Sequence, residues 1–266
     1  MPAPARVYDA WLSGKDNLAA DRDAAGSVTA LLPSIIETVR ENRAFARRAV
    51  CYLAGWQGIS QFIDIGCGLP AAPAARETAV HDIAQRITPD ARVLYCDNDP
   101  EVMAHARALW TSSHDGLVSY LEADVRDPGY ILAQAAQVID LSYPVAVMLC
   151  AVLHFVGDRD DPAGIVARLA SGLAPGSCIV LSHAAGDIDP GAAHAAAAAY
   201  NERVPVPITL RSFTQVTALL GGVRGTLVSP GVTPVAAWRR GEHDPPACRS
   251  DAYGAAVRLR RAGGRH

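Results

Sequence analysis

Short apolar runs alternate with longer amphipathic stretches along most of the chain. "QFIDIG" (61–66), "RVLYCD" (92–97), "VSYLEAD" (118–124), "PVAVMLCAVLHFV" (144–156) and "SCIVLSHA" (177–184) read as strands. The fourth run is too apolar for an exposed strand and suits a central one covered on both faces. Helical spacing fills the gaps. Residues 37–56 place Val39, Phe45, Ala46, Val50 and Leu53 near one face, and Gly58 closes that region. A helix is predicted over 74–88, with Pro89 beyond its end. Another follows "DP", with Asp99 as cap and Pro100 in the first turn. Residues 129–139 and 161–176 complete the set, the last capped by Asp161 and followed by Gly176.

Strict strand–helix alternation over this stretch implies an α/β fold: a parallel sheet with right-handed crossovers and helices on both faces. After residue 185 the pattern changes. An alanine-rich helix (190–204) and a second helix (209–222, Ser212 as cap) precede two strand-like segments, "GTLVSPG" and "VTPVAAWRR". Their Ser-Pro-Gly junction predicts an antiparallel hairpin at one sheet edge, making seven strands in all. Residues 241–250 read as a loop.

The length of 266 residues suits one large domain, and 50% hydrophobic residues are enough to build its core. A net charge of −3 argues against a general nucleic-acid or membrane-surface binder. No apolar run reaches a membrane span, and the N-terminus lacks the features of a signal peptide, so a cytoplasmic location is expected. The six cysteines form no C-x-x-C pair and have no histidines at metal-ligand spacing. They read as small buried hydrophobes, and no metal site is expected. Arginine is abundant while Lys15 is the sole lysine, so arginine count alone says little about phosphate binding.

Candidate chemistry gathers at the carboxyl ends of the strands, where parallel sheets bind ligands. Strand one ends in Asp64-Ile-Gly66-Cys67-Gly68, strand two in Asp97-Asn98-Asp99 and strand three in Asp124. Strand four ends near Cys150 to His154, and strand five at His183. The glycines serve either a tight turn or a ligand lying against the backbone. An acid ending strand two can accept from both ribose hydroxyls, and Asp124 can accept from an adenine amine. A nicotinamide dinucleotide favours G-x-G-x-x-G. Here Ala71 stands at the third glycine position, Pro70 and Pro73 lie in the turn, and no phosphate-binding arginine is expected near it. An acid-rich crevice poor in phosphate donors suits S-adenosylmethionine, a sulfonium cation, better.

The stretches "RVYDAWLSGKDNLAADRDAA", "ENRAFARRAV", "FIDIGCGLP", "YCDNDPEVMAHARAL", "ADVRDP", "PVAVMLCAVLHFV", "DPAGIVARL" and "LAPGSCIVLSHA" together span nearly the whole chain. In them the sequence resembles the class I S-adenosylmethionine-dependent methyltransferases. More narrowly it resembles the actinobacterial S-adenosyl methyltransferase (DUF574) family. The resemblance implies a Rossmann-like sheet with a reversed last strand, and cofactor contacts at Asp64, Gly66, Gly68, Asp97, Asn98, Asp124 and Val125. Cys67, Cys150, Arg43, Lys15 and Asn17 complete the expected cofactor contacts. Family members usually carry a hydroxyl residue between the glycines and after Leu-Pro, where this chain has Cys67 and Ala71.

Residues 1–36 are expected to form an N-terminal helical lid over a methyltransferase domain of residues 37–266. The polar segment 6–23, anchored by Trp11 and Leu12, reads as too polar for the core: either a lid or a solvated helix. Arg43 either pairs with the cofactor carboxylate or packs its helix. Tyr8, His154 and His183 are the candidate catalytic groups, although either histidine could be a packed core residue. The expected activity is methyl transfer from S-adenosylmethionine to a small molecule, leaving S-adenosylhomocysteine, by a monomer or homodimer in secondary metabolism. The alternatives are another use of the same cofactor (cyclisation or aminocarboxypropyl transfer), which leaves no room for an acceptor, and a non-catalytic cofactor-binding module. An NAD-linked reductase is more distant.

Overall fold

The computed structural model describes residues 1–70, 79–241 and 247–260. Eight strands form one mixed sheet: β1 (Gln61–Ile65), β2 (Arg92–Asp97), β3 (Leu117–Glu122), β4 (Ala146–Cys150), β5 (Cys178–Ala184), β6 (Gly225–Leu227), β7 (Thr233–Pro234) and β8 (Ala252–Leu259). Seven run in the order β3-β2-β1-β4-β5-β8-β6, and the two-residue β7 pairs with β8. The first five are parallel, and β8 lies antiparallel to β5 from Cys178↔Arg258 to Ala184↔Ala252. Strand order reverses between β1 and β4, which opens a crevice at their carboxyl ends.

The Rossmann-like class is as the sequence predicts, but the antiparallel end is built differently. The segments 225–231 and 232–240 do not pair with each other. Both β6 and β7 pair with β8, a strand that the pattern analysis left unassigned. "AYGAAVRL" is rich in Ala and Gly, which carry little strand signal. Gly254 is required there, because a Cβ would meet the Phe45 ring at 2.7 Å. Residues 235–237 make a 3-10 turn that delivers Trp238, fully buried, edge-on to Phe45 with centroids 5.2 Å apart.

Nine helices are described. α1 (Pro4–Trp11) and α2 (Ala19–Leu31) precede α3 (Ile35–Gly55). α4 (Val80–Ile87), α5 (Pro100–Leu109), α6 (Pro128–Ala135) and α7 (Pro162–Ser171) connect the parallel strands. α8 (Pro190–Asn201) and α9 (Phe213–Ala218) follow β5. The expected caps hold: Asp99 accepts from Glu101 N, Asp161 from Gly164 N, and Ser212 forms a capping box with Gln215. The front of the helix expected over 74–88 lies outside the described residues. The expected fourth strand stops at Cys150 and gives way to a 3-10 turn over Leu153–Phe155.

One apolar layer joins β-strand side chains to α6, α7 and α9, and another joins them to α3 and α4. A third cluster unites Val7 of α1 with Ala24, Ala25 and Val28 of α2, and with Ala196 and Tyr200 of α8. The N-terminal segment is therefore not a merely solvated helix. Its acids fold inward: Asp21 is fully buried and accepts from Ala3 N, Leu18 N and Arg6 Nε. Asp9 accepts from Asp16 N and Asn17 Nδ2. Polar residues can be buried when every acceptor is met in this way. Trp11 joins the cluster as expected, its Nε1 donating to Ala25 O and Thr29 Oγ1.

Candidate functional site

A cavity of about 470 Å³ opens at the carboxyl ends of the parallel strands, and residues 2–5 of the N-terminal segment form part of its wall. Asp64, Gly66, Cys67, Gly68, Asp97, Asn98, Asp124, Val125, Cys150, Arg43 and Tyr8 all line it. Twelve cofactor contacts and three catalytic groups were expected from the sequence. Lys15, Asn17, His154 and His183 are the four of these that do not line this cavity. Lys15 is exposed, and Asn17 is engaged with Asp9 and Gly14 O.

The two glycines of the first turn have different reasons for being there. Both take positive φ, 73° at Gly66 and 65° at Gly68. A Cβ on Gly66 would strike the Val152 side chain at 2.6 Å, whereas a Cβ on Gly68 would meet nothing within 4 Å. Gly66 is thus a packing requirement, and Gly68 faces open cavity. The Gly68 N–H donates to Asp97 Oδ2 at 3.0 Å, and Asp99 N–H donates to Oδ1 at 3.0 Å. The end of β2 therefore holds the turn after β1. Burial raises the Asp97 carboxyl above its ordinary range, against the pull of these N–H groups.

The Asp64 carboxylate accepts no hydrogen bond from the described residues, although it is half-buried on the cavity wall. Burial pushes its pKa up to about 7; Arg43 opposes the rise and the Asp97 charge adds to it. Arg43 donates to Leu69 O at 3.3 Å and sits over the Tyr8 ring at 5.7 Å. Arg43, an expected cofactor contact, lines the cavity, and so does Arg126, an arginine that the sequence reading did not place there. Arg126 is taken up by Asp124, donating from Nε at 2.9 Å and from its terminal nitrogen at 2.7 Å. That pairing lowers the Asp124 pKa, and Asn98 adds a bond at 3.3 Å.

The three candidate catalytic groups differ in what they leave open. Tyr8 Oη donates to Val39 O and accepts from Asn42 Nδ2, both at 3.0 Å, and burial raises its pKa. Nε2 of His183 faces Arg211 at 2.8 Å, and because arginine can only donate, that nitrogen must accept. The ring proton then sits on Nδ1 and donates to Ala184 O at 2.8 Å. Burial lowers the His183 pKa to about 4, so it is neutral and fully engaged. His154, lowered to about 3 by burial, keeps a buried Nδ1 without a partner among the described residues. It lines a second, smaller cavity.

Sequence reasoning missed two connecting residues. Asn42 falls on the apolar stripe of α3, three residues from both Val39 and Phe45, and a polar residue there was a readable signal. It links Tyr8 to Ser182, whose hydroxyl donates to Asn42 Oδ1 and accepts from Ala151 N. Ala151 is itself strained, with φ 58°. Arg211 is buried and donates to Leu153 O, Val156 O and Asp158 as well as His183, locking the segment after β4. Nothing in "TLRSF" marks it.

The donor set fits S-adenosylmethionine. An open acid and an arginine stand together at the β1 end, acids and an amide stand at the β2 and β3 ends, and the glycine position faces open space. No group of acids, histidines and cysteines able to hold a metal occurs among the described residues. No described helix is long and apolar enough to cross a membrane.

Residues 1–261 match the model of the S-adenosyl methyltransferase family. A DUF574 family protein of Streptomyces avermitilis is 35% identical over 97% of both chains, with a TM-score of 0.90. A protein of Thermobifida fusca described as a putative methyltransferase is 37% identical over 97% of this chain and 95% of its own, with a TM-score of 0.85. Human N-acetylserotonin methyltransferase, solved with S-adenosylmethionine, is 14% identical over 95% of this chain and 62% of its own. Its TM-score of 0.51 is a likeness of fold alone. Curated proteins yield no significant match. Matched over almost its whole length, this chain belongs to the S-adenosyl methyltransferase family and is an S-adenosylmethionine-dependent methyltransferase.

Proposed function

We propose that the 470 Å³ cavity holds S-adenosylmethionine with its amino-acid end between Asp64 and Arg43. Asp64 takes the ammonium and Arg43 the carboxylate, each a charge-assisted contact. Asp97 accepts from the ribose hydroxyls on lone pairs that Gly68 and Asp99 leave free. Asn98, Asp124 and Val125 border the adenine. Cys67 and Cys150 supply apolar walls, since burial raises both thiols and keeps them protonated. The single observation that carries this reading is Asp64, an open half-buried carboxylate. Leaving a buried acid unmatched is costly unless a cationic ligand meets it.

When bound, the cofactor supplies an electrophilic methyl on a sulfonium. The chain's contribution is to hold it, exclude water and align an acceptor, since such a displacement gains mainly from positioning. Residues 1–36 act as the lid: Pro2 to Ala5 wall the cavity, and Arg6 bridges to Glu101 on α5. The reading takes the acceptor as a small molecule and the enzyme as cytoplasmic. The adjoining second cavity favours a separate acceptor over cyclisation of the cofactor.

Calorimetric titration with S-adenosylhomocysteine tests the assignment. Wild type binds, and Asp64→Asn binds at least tenfold more weakly while melting at the same temperature or higher. Equal affinity in the variant removes Asp64 from the site.

A further inference from the structure

Behind the larger cavity lies a second one of about 100 Å³, bounded by α2, α3, α8 and the ends of β4 and β5. The two share Pro4, Tyr8, Asn42, Ala151 and Phe155 as wall, so they meet there. The wall is otherwise mostly apolar, with Trp11, Val28, Leu32 and Ile208 among its residues. Three buried side-chain polar atoms have no partner among the described residues: His154 Nδ1, Tyr200 Oη and Trp238 Nε1. His154 and Tyr200 both line this cavity. Unpartnered buried polar atoms are uncommon, and two that belong to side chains lining one small cavity call for a ligand that satisfies them.

We propose that this cavity receives the methyl acceptor, and that the acceptor is an uncharged molecule that inserts one ring and offers hydrogen-bonding groups to His154 Nδ1 and Tyr200 Oη. The proposal rests on the larger cavity holding the cofactor. Size sets the first limit: a cavity of about 150 Å³ accommodates benzene, so this smaller one admits no more than a single ring, and the remainder must reach toward the cofactor through the wall that the two cavities share. Charge sets the second. No arginine or lysine is among the described wall residues, and Asp251 is the one carboxylate. Its oxygens are already met by Ser34 Oγ and Arg249. Both wall histidines are neutral, so an anionic acceptor would find no counter-charge. Chemistry sets the third. Tyr200 follows the alanine run of α8 and belongs to the cluster that packs this helix against α2, so its hydroxyl is carried on rigid elements.

Full-length protein saturated with S-adenosylhomocysteine is titrated with phenol, resorcinol, benzoate and phenyl phosphate, and binding is followed from the ligands' NMR signals. Phenol and resorcinol bind, and benzoate and phenyl phosphate bind at least tenfold more weakly. Tyr200→Phe and His154→Phe each weaken resorcinol about tenfold, as for one lost hydrogen bond, with S-adenosylhomocysteine affinity unchanged. Equal binding of the anions, or undiminished resorcinol binding in both variants, overturns the proposal. If S-adenosylhomocysteine does not bind, the reading of the larger cavity fails. The phenol series on cofactor-free protein then still decides the smaller one.

Discussion

The Gly68 N–H donates to Asp97 Oδ2 at 3.0 Å, tying the turn after β1 to the last residue of β2. One carboxylate thus both shapes the glycine turn and faces the cavity. Asp97→Ala is expected to weaken S-adenosylhomocysteine binding by about 2 kcal/mol, the value of lost charge-assisted bonds to the ribose. Calorimetry checks it, and unchanged affinity would remove Asp97 from the ribose site.

Asp64 gives a pH signature. Its pKa is raised from 3.8 to about 7, so the fold favours its neutral form. Its contribution to stability is full below the ordinary carboxylate value and is lost as pH rises toward 7. The melting temperature of wild type relative to Asp64→Asn should therefore fall between about pH 4 and 7. Binding of an ammonium group runs the other way, because it needs the ionised acid. S-adenosylhomocysteine affinity should rise up to about pH 7 and level off, and Asp64→Asn should lose this rise. A flat wild-type profile would contradict the assignment.

Arg211 is architectural in this account. Arg211→Leu strips the buried carbonyls of Leu153 and Val156, and the His183 ring, of their donor. Stability should fall by about 3 kcal/mol in denaturant titration. A loss under 1 kcal/mol would mean that the segment after β4 is held by other contacts.

The Arg6–Glu101 bridge joins α1 to α5 beside the cavity. Glu101 is half-exposed, so the bridge is modest and sensitive to salt. Glu101→Gln should speed S-adenosylhomocysteine release roughly two- to fivefold, as expected for an exposed pair. High salt should speed release in wild type but not in the variant. Stopped-flow displacement reads both, and equal rates would leave residues 1–36 without a lid role.

Most of the sheet was legible in the sequence, because β1, β4 and β5 are dense in β-branched and apolar residues and the helix caps are chemically specific. β8 was not, because Ala252, Gly254, Ala255 and Ala256 owe their strand to the β5 edge and to Phe45. The apparent hairpin over 225–240 failed for the same reason: its pairing partner, β8, comes later in the chain, beyond Trp238. The strand-end acids were readable from spacing alone, whereas their state was not. That Asp124 is occupied by Arg126 and Asp64 is open depends on side-chain geometry. The inward-turned acids Asp9 and Asp21 looked solvent-facing because their donors include the backbone N–H groups of Ala3, Asp16 and Leu18, which composition does not reveal. His154 and His183 looked alike in the sequence. Arg211, nearly thirty residues after His183, separates them.

The central claim is that cofactor lies against the turn after β1, and Gly68→Val tests it most directly. A Cβ there enters open cavity, so the branched side chain blocks the methionine end rather than the fold. Positive φ adds strain of about 1–3 kcal/mol, read by thermal melt on the same sample. The account predicts a folded protein, somewhat less stable, with S-adenosylhomocysteine binding almost abolished. A folded Gly68→Val protein with wild-type affinity would contradict it.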